Sequence, residues 1–172
     1  MSKPHNTMKT LQFNLALFSF VCILLTSCAS EDDGIYFEKF NDTEVDYSEI
    51  ELEILDLVNE YRISKSLAPL DKMNLISTVA ESHTTYMAEI GEVNHDNFTD
   101  RHQKLVKNAD AKTVGENVGY GFNSAEGVVR AWLNSDAHRA IIEKQHYTHF
   151  GISTRQNNEG RNYFTQIFIE RN

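Results

Sequence analysis

The last extended run of the chain sets the terms for everything before it. Tyr163, Thr165, Ile167 and Ile169 fall on one face, and Phe164, Gln166 and Phe168 on the other. Successive side chains of a strand point to opposite sides, so this segment is largely apolar on both. Such a strand belongs inside a sheet that is covered above and below. Its partner comes just before it. Phe150, Ile152 and Thr154 alternate with polar neighbours, and Gln156-Asn157-Asn158-Glu159-Gly160 is a turn. The two runs predict a hairpin, and the rest of the chain must supply two layers of cover.

Helical periodicity supplies them. Ser48 and Glu51 form a capping box, with Tyr47 placed to staple onto Leu52. Ile50, Ile54, Leu57, Val58 and Tyr61 then trace one face, and Leu67-Ala68-Pro69-Leu70 turns the chain. Asp71 is the expected cap of a second helix, striped by Ile76, Val79, Ala80, His83, Tyr86, Met87 and Ile90 and closed by Gly91. His83 lies within that stripe and reads as a satisfied core histidine. From Glu92 to Val114 the pattern fades, and Asn94-His95-Asp96-Asn97-Phe98 reads as loop. A third helix carries Ala125, Val128, Val129, Trp132 and Leu133, capped by Asn123 or Ser124. Asp136 is expected to cap a short helix from Ala137 through Glu143. The expectation is an α+β fold: a three-layer α-β-α sandwich with a small antiparallel sheet between helices.

A chain of 172 residues suits one domain, preceded here by a leader. Lys3 and Lys9 precede an apolar run from Leu11 to Leu25 that breaks at Leu25-Thr26-Ser27-Cys28. The run is a secretory signal, too short and wrongly flanked to span a membrane. Its last four residues resemble a bacterial lipobox, in which the cysteine is lipidated. Residues 1–27 are therefore expected to be a lipoprotein signal peptide and 28–47 an acidic tether, with the folded domain over 48–172. The only other cysteine, Cys22, lies in the leader, so the body has neither a disulfide nor a thiol nucleophile. The net charge of -9 argues against nucleic acid and against binding anionic membrane by charge. Membrane attachment is then expected through the lipid alone, at the bacterial cell envelope, with the domain itself a monomer. Glu31-Asp32-Asp33 beside Cys28 resembles signals that carry lipoproteins to the outer cell face, and reads equally as a charged linker.

Three residues stand out for chemistry. Glu116 precedes the third helix on an extended or turn segment, His138 follows that helix, and His95 sits on the irregular stretch. His138 falls in the first turn of the short helix, whose positive end disfavours a protonated ring. Neutral imidazoles with a carboxylate suit zinc or another divalent metal, although none of the compact zinc spacings occurs. There is no Gly-x-Ser-x-Gly elbow and no phosphate loop. Ser135, three residues before His138, is expected to cap the backbone, with a Ser–His pair as the alternative.

These residues stand in a longer pattern. Leu57-Val58-Asn59-x-x-Arg62, Pro69-Leu70, Ala80-x-x-His83-x-x-x-Met87, His95, Gly115-Glu116-Asn117, Trp132-x-x-Ser135-x-x-His138-Arg139, Phe150-Gly151-Ile152 and Tyr163-x-x-Gln166-x-Phe168 follow in order. The series resembles the CAP superfamily of cysteine-rich secretory proteins, antigen 5 and pathogenesis-related proteins, in its bacterial SCP-like form. The resemblance implies an α-β-α sandwich and a cleft lined by two histidines and two acids, which binds divalent metals in some members. His95, Glu116 and His138 match the histidines and the first acid. Ser135 stands where many members carry the second. The resemblance favours a non-enzymatic module that needs no cofactor and binds a lipid, peptide or other surface molecule. The alternative is a metal-assisted hydrolase or protease with Glu116 as base.

Overall fold

The computed structural model describes residues 44–171. The expected leader, Cys28 and most of the acidic tether lie outside the described residues. Five helices and four strands follow in the order α1 (Glu49–Ser64), β1 (Asp71–Lys72), α2 (Asn74–Ile90), α3 (Phe98–Ala109), β2 (Thr113–Tyr120), α4 (Ala125–Asn134), α5 (Asp136–Ile142), β3 (His149–Gln156) and β4 (Asn162–Glu170). The strand order is β1-β3-β4-β2. The closing strand β4 is thus interior, antiparallel to both neighbours, with Gly151 opposite Ile167 and Glu116 opposite Ile167 on the other side.

Both faces of β4 are covered, as its two-sided apolar pattern requires. Phe164 and Phe168 pack with Phe150 and Ile152 against α1 and α4 through Ile54, Val58, Val128 and Trp132. Ile167 and Ile169 face α2 and α3 through Ile76, Val79, Ala80 and Leu105. Each fully buried aliphatic or aromatic side chain of this kind contributes about 1.5–3 kcal/mol. Gly151 is required where α2 crosses β3, because a Cβ there would meet the backbone and side chain of Ser77.

Several residues of the sequence pattern prove to be fasteners. Glu51 accepts from the Ser48 N–H at 2.9 Å and also from the Thr154 N–H at 2.6 Å, so the cap of α1 is tied to β3. The Asn59 amide holds both backbone groups of Leu70, at 2.9 and 2.8 Å. Arg62 is fully buried and donates to the carbonyls of Ala68, Ile142 and Lys144. It fixes the turn after α1 and the end of α5 together.

The structure corrects five local expectations. The sheet is mixed rather than antiparallel, because β1 runs parallel to β3. The Pro69-Leu70 turn brings Asp71 and Met73 alongside β3, where their N–H groups reach Thr148 and Phe150. Asp71 therefore does not cap α2, whose N-cap is Met73. Tyr47 does not staple Leu52, which is exposed; its hydroxyl reaches Asn74 and Ser77 on α2. The supposed loop contains α3, twelve residues of which only Arg101, Leu105 and Ala109 are buried. A stripe one residue wide per turn, behind an Asn97 N-cap in the left-handed region, carries little periodic signal. Lastly, α5 begins at Asp136 with Ser135 as its N-cap, one residue earlier than expected.

Candidate functional site

The site is built at the edge of the sheet. Among the described residues β2 pairs only with β4, so no strand covers its far side. Gly115 lets Tyr147 and Ile141 press onto the strand, since a Cβ there would collide with the Tyr147 hydroxyl. Glu116, the next residue, faces the opposite side of the sheet and is buried. It sits among three cationic or ionisable partners.

His95 Nδ1 lies 2.8 Å from Glu116 Oε1. Arg101 grips both carboxylate oxygens, Nε to Oε2 and Nη2 to Oε1, each at 2.7 Å. His83 Nε2 is 4.0 Å from Oε1 and lies 2.8 Å from the Asn94 carbonyl. A carbonyl only accepts, so that nitrogen carries hydrogen, and His83 is the satisfied core histidine the sequence suggested. Burial acts most strongly on Glu116 and would raise its pKa. The hydrogen bonds from His95 and Arg101, with the charges of Arg101 and His83, outweigh it and hold the carboxyl below its ordinary range. Glu116 is thus an ionised, bidentately paired carboxylate. Accepting at Oε1, it fixes a hydrogen on His95 Nδ1, so Nε2 is the ring nitrogen left without a partner from this pair.

The loop around His95 is pinned on both flanks. His83 takes the carbonyl of Asn94, and Arg101 Nη1 takes that of Asp96 at 2.6 Å. The His95 ring itself is half exposed, with 51% of its side-chain surface accessible against 2% for Glu116. The ring therefore lies between the buried pair and solvent.

His138 comes from the other side of β2, in the first turn of α5. Its pKa is lowered, by burial first and by the charge of His95 second. His138 bonds neither His95 nor Glu116. Its Nδ1 lies 2.8 Å from Ser135 Oγ, so Ser135, the N-cap of α5 by position, gives its side chain to the ring and not to the helix backbone. The Asn117 amide holds the backbone carbonyl of His138 at 3.2 Å. No carboxylate bonds the His138 ring among the described residues, so the Ser–His pair has no third member.

Beside this cluster runs a cleft of about 310 Å³ lined by His95, Phe98, Val114, Gly115, Glu116, Ile141, Lys144 and Tyr147. Its walls are mostly apolar, and Glu116 is the only acid among them.

The geometry also tests the implied metal. Glu116 has both oxygens committed to Arg101 and one shared with His95, Ser135 replaces the second acid, and His138 directs Nδ1 to that serine. Two imidazole Nε2 atoms remain, short of the three or four ligands of a zinc site. No group of three His, Cys, Asp or Glu side chains could hold a metal among the described residues. The donor set fits a divalent ion poorly.

The family model described as cysteine-rich secretory protein family matches residues 55–168. The chain belongs to the CAP family. The CAP chain is 32% identical over 126 residues to the uncharacterized membrane protein YlbC of Bacillus subtilis, covering 70% of itself and 34% of that relative. It thus spans about a third of YlbC, whose remaining length has no counterpart in the match. Among solved structures, an outer surface protein of Borrelia burgdorferi shares the fold, with a TM-score of 0.67 at 21% identity over 77% of this chain and 100% of that one. A cysteine-rich secretory protein of Staphylococcus aureus follows at a TM-score of 0.58 and 26% identity, over 74% of this chain and 42% of that one.

Within the CAP domain, sequence reasoning missed Arg101, Lys144, Phe98 and Tyr147. Arg101 recurs with Leu105 and Ala109 every fourth residue, a stripe too narrow to mark a helix. Lys144 and Tyr147 follow a short helix in no periodic pattern, and only the fold brings them to Gly115.

Proposed function

We propose that this CAP protein is an exported, lipid-anchored binding module of the cell envelope, without enzymatic activity, whose ligand occupies the cleft along β2. The observation that carries the reading is the bidentate Arg101–Glu116 pair. It commits the one acid of the cleft to holding His95, and leaves an apolar trough instead of a reactive carboxylate. A metal-assisted hydrolase would need Glu116 free as ligand or base, and Arg101 occupies it. The anchor is Cys28, at the end of the apolar leader. The names of two similar proteins, a membrane protein and an outer surface protein, support an envelope location. No helix among the described residues is long and apolar enough to cross a membrane.

The test is ligand mapping on the full chain by amide chemical shifts, with a panel of short apolar peptides and short-chain lipids. Shifts should concentrate at Val114–Glu116, Ile141 and Tyr147. Perturbation confined to another surface would overturn the reading, as would turnover of any panel member that is lost in Glu116→Gln.

A further inference from the structure

Three consecutive residues of β2, Val114, Gly115 and Glu116, line the cleft. Alternate residues of a strand point to opposite faces, and Glu116 faces away from the Tyr147 and Ile141 that press on Gly115, so a cleft that touches all of them runs round the edge. The trough must run along the strand's edge. Its two walls agree: His95 and Phe98 come from the α3 side, while Ile141, Lys144 and Tyr147 come from the α5 side.

The hydrogen-bonding phase of that edge follows from one bond. Gly121 N–H donates to the Asn162 carbonyl at 2.8 Å, and the register pairs Gly119 with Phe164, Asn117 with Gln166 and Gly115 with Phe168. Hydrogen-bonded and non-bonded pairs alternate in an antiparallel ladder. The N–H and C=O groups of Gly115, Asn117 and Gly119 therefore point to β4, and those of Val114, Glu116 and Val118 point outward. Val118 bears this out, because its carbonyl is taken from outside by the Trp132 indole at 2.8 Å. Trp132 thus closes the edge at Val118, and the stretch that lines the cleft runs from the part-exposed Val114 to Glu116, which is 4% exposed. Among the described residues no strand pairs with it.

Charge narrows the occupant. The chain has a net charge of -9, yet the cleft holds no uncompensated acid. Glu116 is neutralised by Arg101, and Lys144 stands at the mouth with its ammonium over the Tyr147 ring, 5.4 Å from the centroid. A lysine not paired with any described acid, beside an unpaired strand edge and apolar walls, suits one kind of ligand.

Resting on the binding reading above, we infer that the cleft takes the C-terminal end of a short extended peptide with apolar side chains. The peptide pairs with the outward backbone groups of Val114 and Glu116 and sets its terminal carboxylate against Lys144. Strand addition of this kind draws affinity from main-chain bonds and specificity from the pockets beside them. A fatty acid shares the carboxylate and the apolar body but offers no backbone to the edge.

The experiment compares three probes on the full chain: an apolar tripeptide with a free C-terminus, the same tripeptide amidated, and octanoate. The readouts are amide chemical shifts and hydrogen exchange at Val114 and Glu116. The free tripeptide should bind and slow exchange at both amides. Amidation should weaken it about tenfold, the loss of one charge-assisted contact. Lys144→Met should remove that preference while leaving weak binding of the amidated peptide. Octanoate bound in the cleft without protection at Val114 and Glu116, with neither tripeptide bound, would overturn the peptide assignment and leave the cleft a binding site. Silence of the cleft toward all three would overturn both. Equal binding of free and amidated peptides would remove Lys144 as the carboxylate contact and refute the terminal specificity.

Discussion

Glu116 is held by Arg101 in a planar two-bond fork, and this pair decides what the residue can do. Breaking a buried pair from one side leaves an uncompensated charge, so Arg101→Met should cost about 3–5 kcal/mol in denaturant unfolding. Arg101→Lys should recover only part of it, because a single ammonium cannot reproduce two parallel bonds at 2.7 Å. Equal stability of Arg101→Met and the parent would show that the pair contributes nothing and that Glu116 is free for other chemistry. Metal provides a second test at this scale. With Ser135 in the place of an acid, zinc should bind the parent weakly by calorimetry. Ser135→Glu should tighten it, since a carboxylate then joins His138 and His95. Tight zinc binding by the parent that is lost in His95→Ala would reverse this account. The meeting of His95 with Glu116 was legible in the order of their motifs, whereas His138 turns to Ser135. The role of Glu116 was not legible, because its partner Arg101 comes from a helix with almost no periodic pattern.

At the level of elements, strong stripes were read and narrow ones were not. α1, α2 and α4 bury broad apolar faces, and β4 is buried on both sides, so their periodicities are plain. α3 buries one residue per turn, and β1 is two residues long. Neither length nor pattern can reveal such elements, since pairing with β3 and packing on the sheet stabilise them only after folding. Trp132 tests the element read most clearly. It is almost fully buried, touches the core of α1 and β4, and donates to the Val118 carbonyl. Trp132→Ala should cost about 3–5 kcal/mol in chemical denaturation, from the cavity it opens. Because that indole also closes the outer edge of β2, exchange at the amides near Val118 should quicken in the same variant. An unchanged unfolding midpoint would place the ring outside the core.

For the whole molecule, attachment and acid stability are the two properties to test. If Cys28 carries the lipid, Cys28→Ala should move the protein from the membrane to the soluble fraction. A parent protein without lipid by mass spectrometry would refute the anchor. Acid stability follows from the buried ionisable groups. Burial is the largest cause of the lowered pKa of His83; the Asn94 carbonyl and Glu116 oppose it, while Arg101 and His95 add to it. His138 is lowered in the same direction but is only part-buried, so its share is smaller. An unfolded histidine protonates near pH 6.5, whereas these native rings resist, so the unfolded chain binds more protons as pH falls below about 6.5. Stability should therefore hold above neutrality and decline first in that window. Glu116 adds a second decline. Its native pKa is depressed, so its contribution is present above about pH 4.3, the unfolded value, and is lost as pH falls through the native one. Unfolding free energies measured from pH 8 to 3 should show both steps. His83→Gln keeps a donor for the Asn94 carbonyl but cannot titrate, and should flatten most of the upper step while sparing the lower. An upper step unchanged in His83→Gln would mean that another group drives it, and that His83 is as easily protonated in the folded chain as in the unfolded one.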